Sequence, residues 1–273
     1  MEHINLANTD MNVSRLGFGT ASLHHNIKES RRLEILSSVY NLGFTYFDTA
    51  RIYGEGMAEK TLGKFLSDGK REKVILSSKF GLVANPLYEK VSLLMYGEKV
   101  LRTLFAKIGI HLKIKEKKRQ LSVEEVSSSL SKSLTALQTT WLDIFYLHEA
   151  QLSDLEDIYK LVPWLEAQKK NGKIRYLGLS GDYENCMELY LKIPDLFDIL
   201  QIEDSIESTE ADILTLEKIP LDIQIRFGYL RNSQGVDKKA VFKEVLKRNK
   251  KTLVLLASNN VKHITELVAL IKR

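Results

Sequence analysis

The sequence predicts an α/β protein of the (β/α)8 TIM barrel class, a single domain spanning 1–273 with a long insertion after the third strand. Short apolar stretches rich in β-branched and aromatic residues alternate eight times with longer stretches of helical period. Each strand candidate is almost continuously apolar, as parallel strands buried on both faces are. No strand–turn–helix carries the G-x-G-x-x-G motif, which weakens the open doubly wound alternative.

The eight units can be placed along the chain. Strands are predicted over 16–23, 44–50, 74–81, 144–150, 174–181, 199–205, 221–228 and 252–258. Helices are predicted over 29–42, 56–67, 123–137, 155–171, 183–192, 209–218, 237–249 and 261–272. Ser122 before Val-Glu-Glu indicates a capping box, and Asn171-Gly172 is typical of a helix end.

Residues 82–121 interrupt this rhythm, because connections in such domains are usually a few residues long. Following the third strand, this insertion is expected to lie over the C-terminal mouth of the barrel, where active sites form. Its stretch 98–119 is basic and contains only Glu98 and Glu116 as acidic residues. The basic residues are Lys99, Arg102, Lys107, Lys113, Lys115, Lys117, Lys118 and Arg119. Such a run is most often a solvated surface, and less often a patch for an anionic substrate, nucleic acid or lipid.

Composition excludes several classes of function. With 44% hydrophobic and 27% charged residues the chain is expected to be globular. One cysteine, Cys186, permits neither an internal disulfide nor a cysteine metal cluster and fits a reducing compartment. No leader-like N-terminus and no apolar run of about 18 residues is present, so we expect a cytoplasmic protein without membrane contact. Nucleic-acid motifs and metal-ligand spacing are also absent, and the sequence does not predict an oligomeric state.

Four polar residues stand at or just beyond the ends of predicted strands. Asp48 ends the second strand, Tyr53 follows it in the loop, Lys79 ends the third and His148 ends the fourth. Burial of polar groups is costly, and adjacent strands of a barrel bring their C-terminal ends together. We therefore expect the four side chains to converge on one pocket.

These residue types suit proton transfer to a carbonyl oxygen. A neighbouring Lys79 ammonium is expected to lower the pKa of Tyr53, while Asp48 keeps Lys79 charged and oriented. Tyr53 is then a general acid, and His148 hydrogen-bonds the substrate carbonyl. The structural alternatives are an ordinary Asp–Lys salt bridge, a packing tyrosine and a histidine that bonds a backbone group.

Five segments carry a family resemblance. They are Arg-Leu-Gly-Phe-Gly-Thr at 15–20, Gly-Phe-Thr-Tyr-Phe-Asp-Thr-Ala-Arg-Ile-Tyr-Gly at 43–54, Ser-Ser-Lys-Phe-Gly at 77–81, Leu-Asp-Ile-Phe-Tyr-Leu-His at 142–148 and Lys-Ile-Arg-Tyr-Leu-Gly-Leu-Ser at 173–180. Along most of its length the chain resembles the aldo-keto reductases. The resemblance implies that Asp48, Tyr53, Lys79 and His148 form a catalytic tetrad.

It also implies a nicotinamide cofactor across the barrel mouth, NADPH with NADH as the alternative. The implied cofactor-binding residues are Gly19, Thr20, Ser180, Gln201, Arg226, Ser258, Asn259, Asn260, Lys262 and His263. Ser180 and Gln201 match the pair that binds the carboxamide, and Arg226 stands where a side chain stacks on the nicotinamide ring. Residues 258–260 open a helix whose free N–H groups suit the adenosine phosphate. Ala257 and Leu267 depart from the family pattern, so Lys262 and His263 are the substitutes expected to hold the 2′-phosphate.

The sequence thus predicts an NADP-dependent aldo-keto reductase that reduces an aldehyde or ketone with Tyr53 as proton donor. The alternative is a regulatory protein of the same fold that binds the nucleotide with little or no turnover. The substrate is expected to be a small carbonyl compound. The basic insertion adds the hypothesis that this compound is anionic, a sugar nucleotide or a sugar phosphate.

Overall fold

A parallel barrel forms the body of the protein. The computed structural model describes residues 1–90, 96, 119–206, 223–231 and 237–271. Its strands are β1 His3–Asn5, β2 Asn12–Ser14, β3 Leu16–Gly19, β4 Tyr46–Asp48, β5 Ile75–Phe80, β6 Leu142–His148, β7 Ile174–Gly181, β8 Ile199–Glu203, β9 Ile225–Phe227 and β10 Leu253–Leu256. The strands β3 to β10 pair in parallel and close the barrel where β10 meets β3. The predicted fold class is confirmed.

Helices alternate with the barrel strands. They are α1 Glu29–Asn41, α2 Met57–Leu66, α3 Pro86–Lys90, α4 Val123–Leu137, α5 Leu155–Lys170, α6 Tyr183–Lys192, α7 Lys238–Arg248 and α8 Val261–Val268, with 3-10 turns at Leu23–His25, Arg71–Lys73, Leu152–Asp154 and Pro194–Leu196. The capping box of Ser122 and Glu125 is present at the start of α4. The predicted helix 209–218 lies outside the described residues, as does most of the insertion 82–121.

The N-terminal hairpin of β1 and β2 was not predicted, because each strand has only three residues. Leu6 and Met11, which lie between the two strands, are buried in one cluster with inward-facing barrel residues such as Tyr46 and Tyr146. A second and larger core lies between the barrel and its helices. The hairpin therefore adds apolar side chains to the barrel interior.

Two glycines make room for the tyrosines that fill the barrel. A Cβ atom on Gly178 would lie 2.2 Å from the Tyr146 ring, and one on Gly17 would lie 2.8 Å from the Tyr46 ring. The two hydroxyl groups are 3.0 Å apart, and the Tyr46 hydroxyl donates to Ser77 Oγ at 3.2 Å. A polar chain thus runs up the barrel axis toward the C-terminal strand ends.

Strand register sets the level of the polar strand ends. Asp48 pairs with Ser77 across β4 and β5, and His148 pairs with Ser180 across β6 and β7. Ser180 in turn pairs with Gln201 on β8. Because parallel pairing fixes neighbouring residues at one height, these side chains meet at the C-terminal mouth.

None of the helices formed by the described residues is long and apolar enough to cross a membrane.

Candidate active site

A cavity of about 490 Å³ opens at the C-terminal mouth of the barrel. Its lining comes from all eight barrel strands and from loops that follow them. The polar lining residues are Asp48, Tyr53, Lys79, Arg119, His148, Glu149, Gln151, Ser180, Asp182, Asn185, Gln201, Glu203, Tyr229 and Arg231. All four predicted catalytic residues therefore face one cavity, although their role in a reaction stays a prediction.

Asp48 and Lys79 form a buried ion pair at the floor of this cavity. Lys79 Nζ lies 2.5 Å from Asp48 Oδ1, and both side chains are only 2% exposed. The ammonium also donates to the carbonyl oxygen of Thr49 at 3.1 Å. Asp48 Oδ1 accepts further hydrogen bonds from Ser77 Oγ at 2.8 Å and from Gln201 Nε2 at 3.1 Å. The carboxylate is thereby held by three neighbouring side chains.

Tyr53 and His148 lie above this pair. Their ring centroids are 6.1 Å apart at an interplanar angle of 85°, and Lys79 Nζ is 5.2 Å from the centre of the Tyr53 ring. Tyr53 is half-buried, while His148 is buried. A carbonyl group entering the cavity would meet a phenol and an imidazole that approach each other edge to face.

The pKa expected for Tyr53 is wrong in sign. Burial raises the pKa of Tyr53 well above its usual value of 10, and the negative charges of Asp48 and Glu149 raise it further. Burial also lowers the pKa of Lys79, against the opposing effect of Asp48. The Lys79 ammonium does not outweigh these effects, because Asp48 contacts it directly and offsets part of its charge. Tyr53 is therefore a neutral phenol in the free protein.

Ser180 and Gln201 lie side by side in the cavity wall. Ser180 Oγ donates to Gln201 Oε1 at 2.6 Å, and both residues are buried. Gly19, a predicted cofactor-binding residue, also lines the cavity. Thr20 does not line it, because its hydroxyl group donates to the carbonyl oxygen of Asp48 at 3.0 Å.

The predicted stacking residue Arg226 does not line the cavity either. Its Nη1 atom donates to Asp204 Oδ2 at 3.0 Å. Asp204 also accepts from the Tyr229 hydroxyl at 2.6 Å, and that hydroxyl accepts from Asn249 Nδ2 at 3.0 Å. Phe227 and Tyr229 on either side of Gly228 face the cavity instead. The guanidinium of Arg226 therefore braces the loop that presents these two aromatic rings.

The predicted adenosine-phosphate residues surround the start of α8. Ser258 Oγ accepts from the Asn260 N–H at 3.2 Å, and Asn260 Oδ1 accepts from the His263 N–H at 3.3 Å. Asn259 and Lys262 are exposed, and none of the five residues 258–260, 262 and 263 lines the cavity. The Asn260 side chain thus caps α8, and Ser258 binds the N–H of this cap residue.

Comparison with known proteins places this geometry in a family. The Aldo/keto reductase family model matches residues 15–206, well over half of the chain. The chain belongs to this family. Among curated relatives, the uncharacterized oxidoreductase YqkF of Bacillus subtilis is 26% identical over 195 residues, which cover 71% of this chain and 54% of YqkF. The NADH-specific methylglyoxal reductase of Escherichia coli is 26% identical over 225 residues, covering 79% of this chain and 63% of that protein. The chain therefore spans only 54% and 63% of the length of these two relatives.

Solved structures agree on the architecture of this aldo/keto reductase family member. The holo form of aldo-keto reductase AKR11C1 from Bacillus halodurans superposes with a TM-score of 0.74. The match covers 100% of this chain and 91% of that one at 22% sequence identity. At such low identity the likeness establishes the fold and nothing finer.

The sequence of this family member did not lead us to predict a buried ionic network that lies behind the cavity. Arg51 Nη1 donates to Glu59 Oε2 at 2.6 Å, and Glu59 Oε1 accepts from Ser78 Oγ at 2.7 Å. Arg51 also contacts Glu89 through its second terminal nitrogen. Glu59 is fully buried and links the loop that holds Tyr53 to the strand that holds Lys79. The available signal was the place of Glu59 on the apolar face of α2.

The other candidate residues of this family member are less suited to metal binding or catalysis, or lie mostly outside the described ranges. Among the described residues no group of three His, Cys, Asp or Glu side chains is arranged to hold a metal. Cys186 is buried, and burial raises the pKa of its thiol, which makes it a poor nucleophile. Of the basic insertion, Arg119 is described and lines the cavity, whereas Lys99, Arg102, Lys107, Lys113, Lys115, Lys117 and Lys118 lie outside the described residues.

Proposed function

We propose that this protein reduces a small aldehyde or ketone to the alcohol, using NADPH and Tyr53 as the proton donor. The observation that carries the proposal is the convergence of Asp48, Tyr53, Lys79 and His148 on one cavity at the barrel mouth. Membership of the Aldo/keto reductase family supports oxidoreductase chemistry in general. Asp48, Tyr53, Lys79 and His148 are proposed as the catalytic residues.

The donor set of the cavity fits the nicotinamide end of such a cofactor. A carboxamide both donates and accepts hydrogen bonds, and Ser180 and Gln201 offer a hydroxyl and an amide in the buried wall. Gly19 adds a wall position without a side chain, and Phe227 and Tyr229 provide aromatic surface. When bound, NADPH would supply a hydride to the carbonyl carbon.

The chain's own residues would deliver the proton and orient the substrate. His148 hydrogen-bonds the carbonyl oxygen, and Tyr53 Oη transfers its proton to that oxygen as the carbon gains the hydride. The product is an alcohol, and Tyr53 regains a proton from water. Lys79 stabilises the transient phenolate, while Asp48 holds the ammonium in place at 2.5 Å. A raised Tyr53 pKa favours this direction, because the phenol is fully protonated before each turnover.

Replacing the phenol tests the proposal. Tyr53→Phe removes the proton donor and should lower kcat/KM for aldehyde reduction by about a thousandfold, measured as oxidation of NADPH. Tyr159→Phe is the matched control, because Tyr159 is an exposed residue of α5. Wild-type rates in Tyr53→Phe would disprove the assigned role.

A pH profile provides a second test of Tyr53. Its pKa lies well above 10, so the neutral phenol persists throughout the neutral and mildly alkaline range. We therefore expect no loss of kcat/KM attributable to Tyr53 between about pH 7 and pH 10. A basic limb in that range that disappears in Tyr53→Phe would show that the phenol is acidified after all.

The choice of NADPH over NADH rests on Lys262 and His263. Both lie in the first turn of α8, where a phosphate group would also meet the helix N-terminus. The Escherichia coli relative is named as NADH-specific, which keeps NADH as the alternative cofactor. Separate titrations with the two cofactors decide between them.

A second candidate function is nucleotide-dependent regulation with little turnover. Two observations favour it: Arg226 is held by Asp204, and residues 258–263 lie outside the cavity lining. Calorimetric binding of NADPH, combined with no oxidation of it by a panel of carbonyl compounds, would support this alternative. A cytoplasmic location and a single domain stay predictions, as does the anionic substrate, which depends mainly on residues outside the described ranges.

A further inference from the structure

Glu149 has an unusual backbone conformation directly beside the proposed substrate site. It follows His148, the last residue of β6, and has a φ of 51°. This left-handed region is rare for residues other than glycine, asparagine and aspartate. A costly conformation of a non-glycine residue at a cavity points to a functional constraint on that residue.

Neighbouring groups fix the Glu149 backbone on both sides. Its N–H donates to the carbonyl oxygen of Ser180 at 2.7 Å, and its own carbonyl oxygen accepts from Arg119 Nη1 at 2.7 Å. The Glu149 Cα atom would also lie 3.4 Å from a Cβ atom on Gly181. The direction in which the side chain leaves the backbone is thereby set by the protein.

The side chain that results is close to the imidazole. Glu149 lines the cavity and its side chain is 60% exposed. Glu149 Oε1 lies 3.9 Å from His148 Nε2. If His148 binds a carbonyl oxygen, as proposed above, this carboxylate is within reach of a group on the carbon next to the carbonyl. A carboxylate accepts hydrogen bonds from hydroxyl groups and repels anions.

The rest of the described lining does not offset this negative charge. Each lysine or arginine that lines the cavity among the described residues already contacts a carboxylate. Lys79 contacts Asp48, Arg119 contacts Asp154 at 3.1 Å and Arg231 contacts Glu203. Asp182 adds another carboxylate to the wall, where it caps α6. An anionic substrate would have to compete with these carboxylates for the same cations.

We propose that Glu149 determines substrate specificity: its carboxylate accepts a hydrogen bond from a hydroxyl group beside the substrate carbonyl and disfavours anionic substrates. The substrate class is thus uncharged hydroxyaldehydes and hydroxyketones. This inference rests on the proposed reductase function, and it opposes the anionic substrate predicted from the basic insertion.

Three aldehydes of the same chain length test the proposal in the presence of NADPH. Propanal has no further polar group, glyceraldehyde adds hydroxyl groups and glyceraldehyde 3-phosphate adds an anion. Glu149→Gln should raise kcat/KM for the phosphate about tenfold and change that for propanal less than about twofold. Glu149→Ala should reduce the preference for glyceraldehyde over propanal about tenfold. Unchanged preferences in both variants would overturn the proposal.

Asp182→Asn is the matched control, because it removes one charge from the same cavity and asparagine still caps a helix well. If Glu149 acts through its place beside His148, this control changes the preference for the phosphate less than about twofold. An equal shift in Asp182→Asn and Glu149→Gln would assign the effect to the overall charge of the cavity, against the proposal.

Binding of unreactive analogues separates this inference from the proposed function. If wild-type protein reduces none of the three aldehydes with NADPH or NADH, the reductase proposal fails. NMR titration with glycerol and glycerol 3-phosphate then still tests the role of Glu149 in specificity. A roughly tenfold gain in relative affinity for glycerol 3-phosphate in Glu149→Gln supports the specificity role, and an unchanged ratio refutes it.

Discussion

The two sides of the barrel mouth are held together in different ways. Around β4, β5 and β6, charged side chains are buried and bonded to one another, as Asp48 and Lys79 are at 2.5 Å. After β10, which has four residues, the predicted cofactor contacts at 258–263 lie at or near the surface, and Ser258 and Asn260 bond within the start of α8. The proposed proton-transfer side is therefore preorganised by the protein, whereas the proposed nucleotide side contributes separate surface groups.

The largest expected effect breaks the preorganised side. Lys79→Met leaves the Asp48 carboxylate buried without a cation and should lower the free energy of unfolding by about 3–5 kcal/mol, measured by denaturant titration. Aldehyde reduction should fall by about a thousandfold or more, because the phenolate of Tyr53 loses its stabilising charge.

The double variant Asp48→Asn/Lys79→Met separates stability from activity. Removing both charges should restore about half of the lost stability, because no unpaired ion remains buried. Activity should stay low in the double variant. Recovery of activity together with stability would mean that the pair is a structural salt bridge only.

A smaller effect is expected one layer behind the cavity. Glu59→Gln weakens the buried contact with Arg51 and should lower the free energy of unfolding by about 2 kcal/mol. The turnover number should also fall, because Arg51 belongs to the loop that holds Tyr53 and Ser78 directly precedes Lys79 on β5. Glu72→Gln, at an exposed position, is the matched control and should change stability by less than about 0.5 kcal/mol. If the two variants are equally stable, the network does not hold this side of the mouth together.

The two sides of the barrel mouth also differ in how well the sequence predicted them. Strand ends such as Asp48, Lys79 and His148 are located by the parallel register, and apolar runs in the sequence reveal the register. Strand limits shifted by a few residues, as in β6, which begins at 142 instead of 144. The barrel and the convergence of the four side chains were thus predictable.

Other features depend on contacts that no local pattern contains. The pKa of Tyr53 rises because burial and the Asp48 charge outweigh the ammonium, and this balance is a property of the folded site. Arg226 contacts Asp204 because β8 pairs with β9, and this contact can be predicted only when both strands have been placed. Short exposed segments such as 258–260 have no burial pattern to indicate which way their side chains point.

The smallest expected effect sharpens the nucleotide side. Because Lys262 and His263 lie near the N-terminus of α8, they are proposed to contact the 2′-phosphate that distinguishes NADPH from NADH. Replacing both by alanine should raise the KM for NADPH about fivefold and leave that for NADH within about twofold, since exposed charge contacts are weak and screened. Lys170→Ala, at the end of α5, is the exposed control. Equal changes in KM for NADPH and NADH would show that this end of α8 does not bind the 2′-phosphate. If the double alanine variant lost as much free energy of unfolding as Lys79→Met, the two sides of the barrel mouth would not differ in the way described above.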